Sequence, residues 1–261
     1  MRLHCLVVAL LVCAAQPSLA APLRVVATGD SQTKNYSPRL AAALAARGIT
    51  ADVSAVASGG ATSATYTGQV EDPHASPPVA HDFVADALAS DPDIVLFMLG
   101  VNDAFQNRFD QFTADISSVF DRLATATNSR GRRPKVIVAT NIPVLDNPTD
   151  DKYAAADALL DSQFNPWLKS QALEHGFALL DLNRRIQNQT GYQNWYSDDG
   201  ATPGHVHLWG TDRAGAGYNW MADQFARAIR ADMAAVPEPS TFRLMIAAAL
   251  AVGFVAFSRR N

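Results

Sequence analysis

Residues 25–33 read "VVATGDSQT": an apolar run that stops on Gly29, Asp30 and Ser31. A buried strand ending this way has an ordinary explanation, a strand-to-helix turn in which glycine loosens the backbone and serine caps the next helix. It also has a chemical one, a serine held at the end of a strand for nucleophilic work. The rest of the chain decides between them.

Downstream, apolar runs and helical stretches alternate. Strands are expected over 23–29, 51–58, 93–100, 135–140 and 177–182, and helices over 37–48, 80–90, 109–127, 153–175 (interrupted near Pro166) and 216–233. Near-continuous apolar strands separated by helices indicate a parallel sheet covered on both faces. Right-handed crossovers then give an α/β, doubly wound, flavodoxin-like three-layer sandwich. In such sheets ligands bind beyond the carboxyl ends of the strands. Ser31 follows the first strand, "ASGGATS" (57–63) the second and "LGVNDA" (99–104) the third. His205 and His207 precede the last helix, so all four stretches meet on one rim.

Both ends of the chain read as processing signals. Arg2, the run "LVVALLVCAA" and "PSLA" before Ala21 form the n-region, h-region and cleavage site of a secretory signal peptide over 1–20. The two cysteines, Cys5 and Cys13, fall inside it. Thiol nucleophiles, zinc–thiolate sites and disulfides are therefore excluded from the exported part, whose stability must come from core burial. At the other end, Pro237, Glu238 and Pro239 break structure, and an apolar stretch from Leu244 to Phe257 leads to Arg259 and Arg260. Fourteen apolar residues are short for a span of about 20.

Residues 21–235 are then one domain's worth of chain. With the terminal charges set aside, 17 basic and 24 acidic side chains leave a net charge near −7. The one basic run, "SRGRRPK" (129–135), suits a solvated turn, and nucleic acid is not an expected partner.

The rim residues suit acyl transfer. A serine hydroxyl needs a neighbouring base, and the base an orienting acid. The oxyanion that develops needs fixed donors, which glycine-turn N–H groups and an asparagine amide supply. The G-x-S-x-G elbow of α/β-hydrolases is absent.

"GDSQT", "SGGATS", "GVND" and "HVHL", in this order, resemble the four blocks of the SGNH (GDSL-type) hydrolase family over residues 23–233. The resemblance implies Ser31 as nucleophile and one oxyanion donor, Gly60 as a second donor and the Asn102 amide as a third. It implies a serine esterase that cleaves carboxylic esters through an acyl-enzyme, with no cofactor and no metal.

The last block departs from the family's D-x-x-H, because Gly204 stands three before His207 and Thr202 three before His205. The "VHL" context selects His207 as base, and Asp199 is its expected orienter. Asp198, or no acid at all, stays open, as does the exchange of His205 for His207. A rival reading puts a metal on His205 and His207 with Asp198 or Asp199. Another makes the chain a non-catalytic surface module that binds carbohydrate or matrix. Asp30 and Asp103 are expected to hold loop backbone, and His74 and His81 lie in a Pro-rich insertion. Trp195 and Trp209 flank the histidine loop as acyl- or sugar-pocket walls.

The tail from 236 to 261 resembles the PEP-CTERM sorting signal. That resemblance implies transient membrane anchoring, cleavage by an exosortase-type enzyme, and a secreted or cell-surface protein of a Gram-negative bacterium. The substrate is expected to be a small-molecule or polysaccharide ester.

Overall fold

The computed structural model describes residues 21–72, 80, 82–196, 205–210 and 215–234. Five strands, β1 (Leu23–Gly29), β2 (Ala51–Ala57), β3 (Ile94–Met98), β4 (Lys135–Ala139) and β5 (Ala178–Leu180), form one parallel sheet in the order β2-β1-β3-β4-β5. This is the doubly wound arrangement that the alternating pattern predicts.

The pleat divides the core into two layers. From β3, Val95 and Phe97 point into a cluster with Phe83, Phe112, Phe120 and Phe164. Ile94, Leu96 and Met98 point the other way, towards Tyr36, Leu40, Tyr218 and Phe225. All five β3 residues are buried, which is why this strand reads as an unbroken apolar run.

Helix α1 (Ser31–Ala45) begins six residues earlier than expected. Pro38 suits the first turn of a helix, so the pattern pointed to a start at Ser37. Instead Asp30 caps the helix by accepting from Gln32 N at 2.9 Å, and Pro38 lies inside it. Ser31 therefore sits in the first turn of a 15-residue helix, at its positive end.

Short helices α2 (Ser63–Tyr66), α3 (Phe83–Ala89) and α4 (Val101–Phe105) are followed by the long α5 (Phe109–Thr125). The interruption expected near Pro166 is a π-turn over Leu160–Phe164, between α6 (Lys152–Leu159) and α7 (Asn165–Glu174). Pro166 cannot donate to the ladder and its ring crowds the preceding turn, which the wider turn accommodates. A further helix, α8 (Leu182–Gln187), and a 3₁₀ turn (Tyr192–Trp195) follow β5.

The last helix, α9 (Ala216–Ala234), lies against α1, with the Tyr36 and Phe225 rings stacked at 4.5 Å. Its two ends are pinned near opposite ends of the strands, on one face of the sheet. Near its start, the Tyr218 hydroxyl accepts from Asn35 Nδ2 at 3.0 Å. Near its end, Asp232 Oδ2 accepts from Nζ of Lys135, the first residue of β4, at 2.5 Å.

Candidate active site

The parallel register puts Gly29 opposite both Ala57 and Met98. The three loops that follow β1, β2 and β3 therefore leave the sheet at one level. Gly29 has no room for a side chain: a Cβ there would lie 2.1 Å from Thr33 Oγ1 and 2.2 Å from the Met98 carbonyl oxygen. The tight packing turns the chain directly from β1 into α1. Nearby, the buried Tyr66 hydroxyl lies 2.8 Å from the Gly29 carbonyl oxygen and 3.0 Å from that of Val56, joining the ends of β1 and β2.

His207 Nε2 lies 3.0 Å from Ser31 Oγ, although 176 positions separate them. Two contacts hold the histidine segment in place. Leu145 N donates to the His205 carbonyl at 2.8 Å, and Gln32 Nε2 donates to the Val206 carbonyl at 2.6 Å. The segment turns at His205 and bends at Val206 instead of running extended. The two imidazoles consequently diverge, contrary to the parallel orientation that simple alternation implies. His205 faces Tyr153, with ring centroids 5.3 Å apart, while His207 meets Ser31.

Gly60 has φ +70° in a turn closed by Ala61 N donating to the Ser58 carbonyl at 3.3 Å. A positive φ at the third residue of such a turn is a glycine position. Asn102 stands in the first turn of α4, and its Nδ2 donates to the Ala61 carbonyl at 2.9 Å. The glycine block and the asparagine block thus touch. One N–H of that amide is spent on the contact, and the second is left for another acceptor.

Beneath these loops lie buried carboxyls that the sequence reading left to loop structure. Asp103 accepts from Ser63 N at 3.1 Å and from Ser63 Oγ at 2.8 Å. The same hydroxyl lies 2.9 Å from Asp115 Oδ2. One hydroxyl proton cannot serve both acids, so the ladder is satisfied fully when a carboxyl carries a proton. Burial pushes the Asp103 carboxyl up to about 6. Asp30 is pushed up to about 7, chiefly by burial, with the neighbouring Asp103 charge adding to it. Its Oδ2 is buried with no hydrogen-bond partner among the described residues.

Asp198 and Asp199, and with them the expected orienter of His207, lie outside the described residues, as do His74 and His81. Among the described residues, no three His, Cys, Asp or Glu side chains gather in a way that could hold a metal. Trp195 packs on Trp220, and Trp209 on Tyr218 and Arg39, against the α1–α9 layer.

Gln32, Ser63, Tyr66 and Asp115 escaped the sequence reading. Gln32 was within reach, since it stands beside Ser31 in the quoted stretch. The others act through contacts whose sequence separation hides them.

Comparison with known proteins agrees with the fold. A family model described as "GDSL-like Lipase/Acylhydrolase family" matches residues 25–210, and a PEP-CTERM protein-sorting motif matches 235–260. No curated protein matches the chain. Among solved structures, a lipase/acylhydrolase from Enterococcus faecalis is similar with a TM-score of 0.56 at 18% identity, over 80% of this chain and 96% of that one. A carbohydrate acetylesterase family member from Sinorhizobium meliloti aligns with a TM-score of 0.55 at 17% identity, over 80% and 97%. The inhibitor-bound aryl esterase of M. smegmatis gives 0.55 at 16%, over 80% and 99%. The chain belongs to the GDSL-like lipase/acylhydrolase family and carries a PEP-CTERM sorting motif at its C-terminus.

Proposed function

We propose that the protein is an exported serine esterase that cleaves carboxylic esters of small-molecule or polysaccharide alcohols through an acyl-enzyme at Ser31. The observation that carries this reading is the 3.0 Å contact between Ser31 Oγ and His207 Nε2 at the carboxyl end of β1. In this account His207 takes the hydroxyl proton as Ser31 Oγ bonds to the ester carbonyl carbon. The carbonyl oxygen becomes an oxyanion held by the Ser31 and Gly60 N–H groups and the Asn102 amide. Because Ser31 opens α1, its own N–H has no partner within the helix and points outward, and the helix dipole favours negative charge there. As the intermediate collapses, the bond to the alcohol oxygen breaks, and His207 returns its proton to the leaving alcohol. Water then repeats the sequence on the acyl-enzyme, releasing the acid and restoring the Ser31 hydroxyl.

Asp199 is proposed to orient His207 through the other ring nitrogen. The sorting motif supports delivery to the cell exterior and removal of the tail by an exosortase-type enzyme. The similarity to a carbohydrate acetylesterase and an aryl esterase supports short acyl groups on a sugar or aromatic alcohol.

The test is hydrolysis of a short-chain aryl ester and of an acetylated polysaccharide by the purified protein, with and without a serine-directed organophosphonate. Turnover that the organophosphonate abolishes is expected. Turnover of neither ester would favour the non-catalytic module.

A further inference from the structure

The end of α9 and Ser31 stand at opposite faces of the domain. Ser31 lies at the carboxyl end of the sheet, and α9 starts on that side, where Tyr218 meets Asn35. The helix then runs its 19 residues, about 28 Å, to the other face, where Asp232 meets the first residue of β4. Ala234 is the last described residue before the sorting motif at 235–260.

That departure point is basic. A cleft of about 550 Å³ between the ends of α1 and α9 is lined by Arg47, Arg227, Arg230 and three alanines, Ala234 among them. Asp223 pairs with Arg47 and with Arg227, so one carboxylate faces three guanidinium groups. Arg227 and Arg230 are exposed. Guanidinium forks suit phosphate oxygens.

The apolar part of the tail starts at Leu244, leaving residues 235–243 as connection. Nine residues reach at most about 30 Å when fully extended. Bringing the Ser31 rim to a bilayer that holds Leu244–Phe257 would require that chain to run straight back along the whole length of α9. Resting the Arg47–Arg227–Arg230 face on the bilayer requires no such stretching, and it sets basic groups on anionic headgroups.

We propose that, while the tail is held in a bilayer, the Arg47–Arg227–Arg230 face lies on anionic lipid headgroups and Ser31 faces away from them, so that the ester substrate arrives from the aqueous side and is not a lipid of that bilayer. The substrate clause rests on the esterase reading, whereas the orientation does not.

The experiment uses residues 21–261, the cysteine-free chain without the signal over 1–20, reconstituted into vesicles containing phosphatidylglycerol. A single spin label is placed at Ala231→Cys in the basic cleft or at Gln106→Cys, an exposed position just beyond α4. Access of a water-soluble relaxation agent should fall severalfold at position 231 on reconstitution and stay unchanged at 106. The difference should shrink in phosphatidylcholine vesicles and in the Arg227→Glu, Arg230→Glu double variant. Protection at 106, or equal access at both positions, overturns the orientation. In the same samples a water-soluble aryl ester should be cleaved as fast as by detergent-dispersed protein while the phosphatidylglycerol stays intact; lipid hydrolysis overturns the substrate clause. Failure to cleave any ester would count against the esterase reading and leave the label result readable.

Discussion

Gln32 Nε2 donates to the carbonyl oxygen of Val206 across 2.6 Å, so the residue after Ser31 holds the residue before His207. Gln32 is itself fixed, buried to 3% exposure. The two ends of the Ser31–His207 pair are thus joined by a second, parallel link.

If that link sets the serine–histidine distance, Gln32→Met, which keeps the length and loses the donor, should lower kcat by about tenfold to a hundredfold, since small misplacements of reacting groups are costly. KM should change little, because substrate contacts remain. Loss of one net hydrogen bond, about 1 kcal/mol, should lower the melting temperature modestly. A purely structural Gln32 would show the melting shift with kcat unchanged.

Asp30 gives a stability prediction with a definite sign. Its folded value of about 7 stands above the ordinary 3.8. The folded protein therefore binds the proton more tightly than the unfolded chain does, and stability falls as pH rises from about 4 to about 7. Asp30→Asn mimics the protonated acid and keeps an oxygen for the helix cap. The variant should melt higher than the parent at pH 8 and show a shallower loss between pH 4 and 7 in thermal scans. A steeper loss would mean that the buried carboxylate is stabilising when charged.

Asn102→Ala should cut kcat by about 10² to 10³ with a smaller effect on KM, as removal of one oxyanion donor does. The contact of Asn102 with Ala61 adds a second consequence. Freed of its partner, the Gly60 turn should become more susceptible to limited proteolysis. A raised KM alone would make Asn102 a substrate-binding residue.

The two histidines should separate cleanly. His207→Ala should match Ser31→Ala in its loss of activity, and the double variant should be no worse than either, because the pair acts as a unit. His205→Ala should cost tenfold or less by the same reasoning, since its ring faces Tyr153. Steady-state kinetics on all four proteins would show a reversal at once.

The strands were legible because burial on both faces writes itself as an apolar run, as in Ile94–Met98. The rim followed from topology alone, since parallel strands must deliver Ser31, the glycine block and Asn102 to one end. The start of α1 was not legible: Pro38 imitates a helix beginning, and the Asp30 cap looks the same whether the helix starts at once or later. The choice between His205 and His207 turned on a bend at Val206 fixed by Gln32 and Leu145, contacts 174 and 60 positions away in the chain. The Asp103–Ser63–Asp115 ladder was hidden for the same reason, joining residues 40 and 52 apart.

The central claim is that Ser31 is the nucleophile. Incubating the protein with a fluorophosphonate and measuring intact and peptide masses tests it directly. One adduct per chain is predicted, on the peptide that contains Ser31, and none in Ser31→Ala, with His207→Ala slowing adduct formation by orders of magnitude. An adduct that persists in Ser31→Ala, or one formed at another serine, would contradict the account.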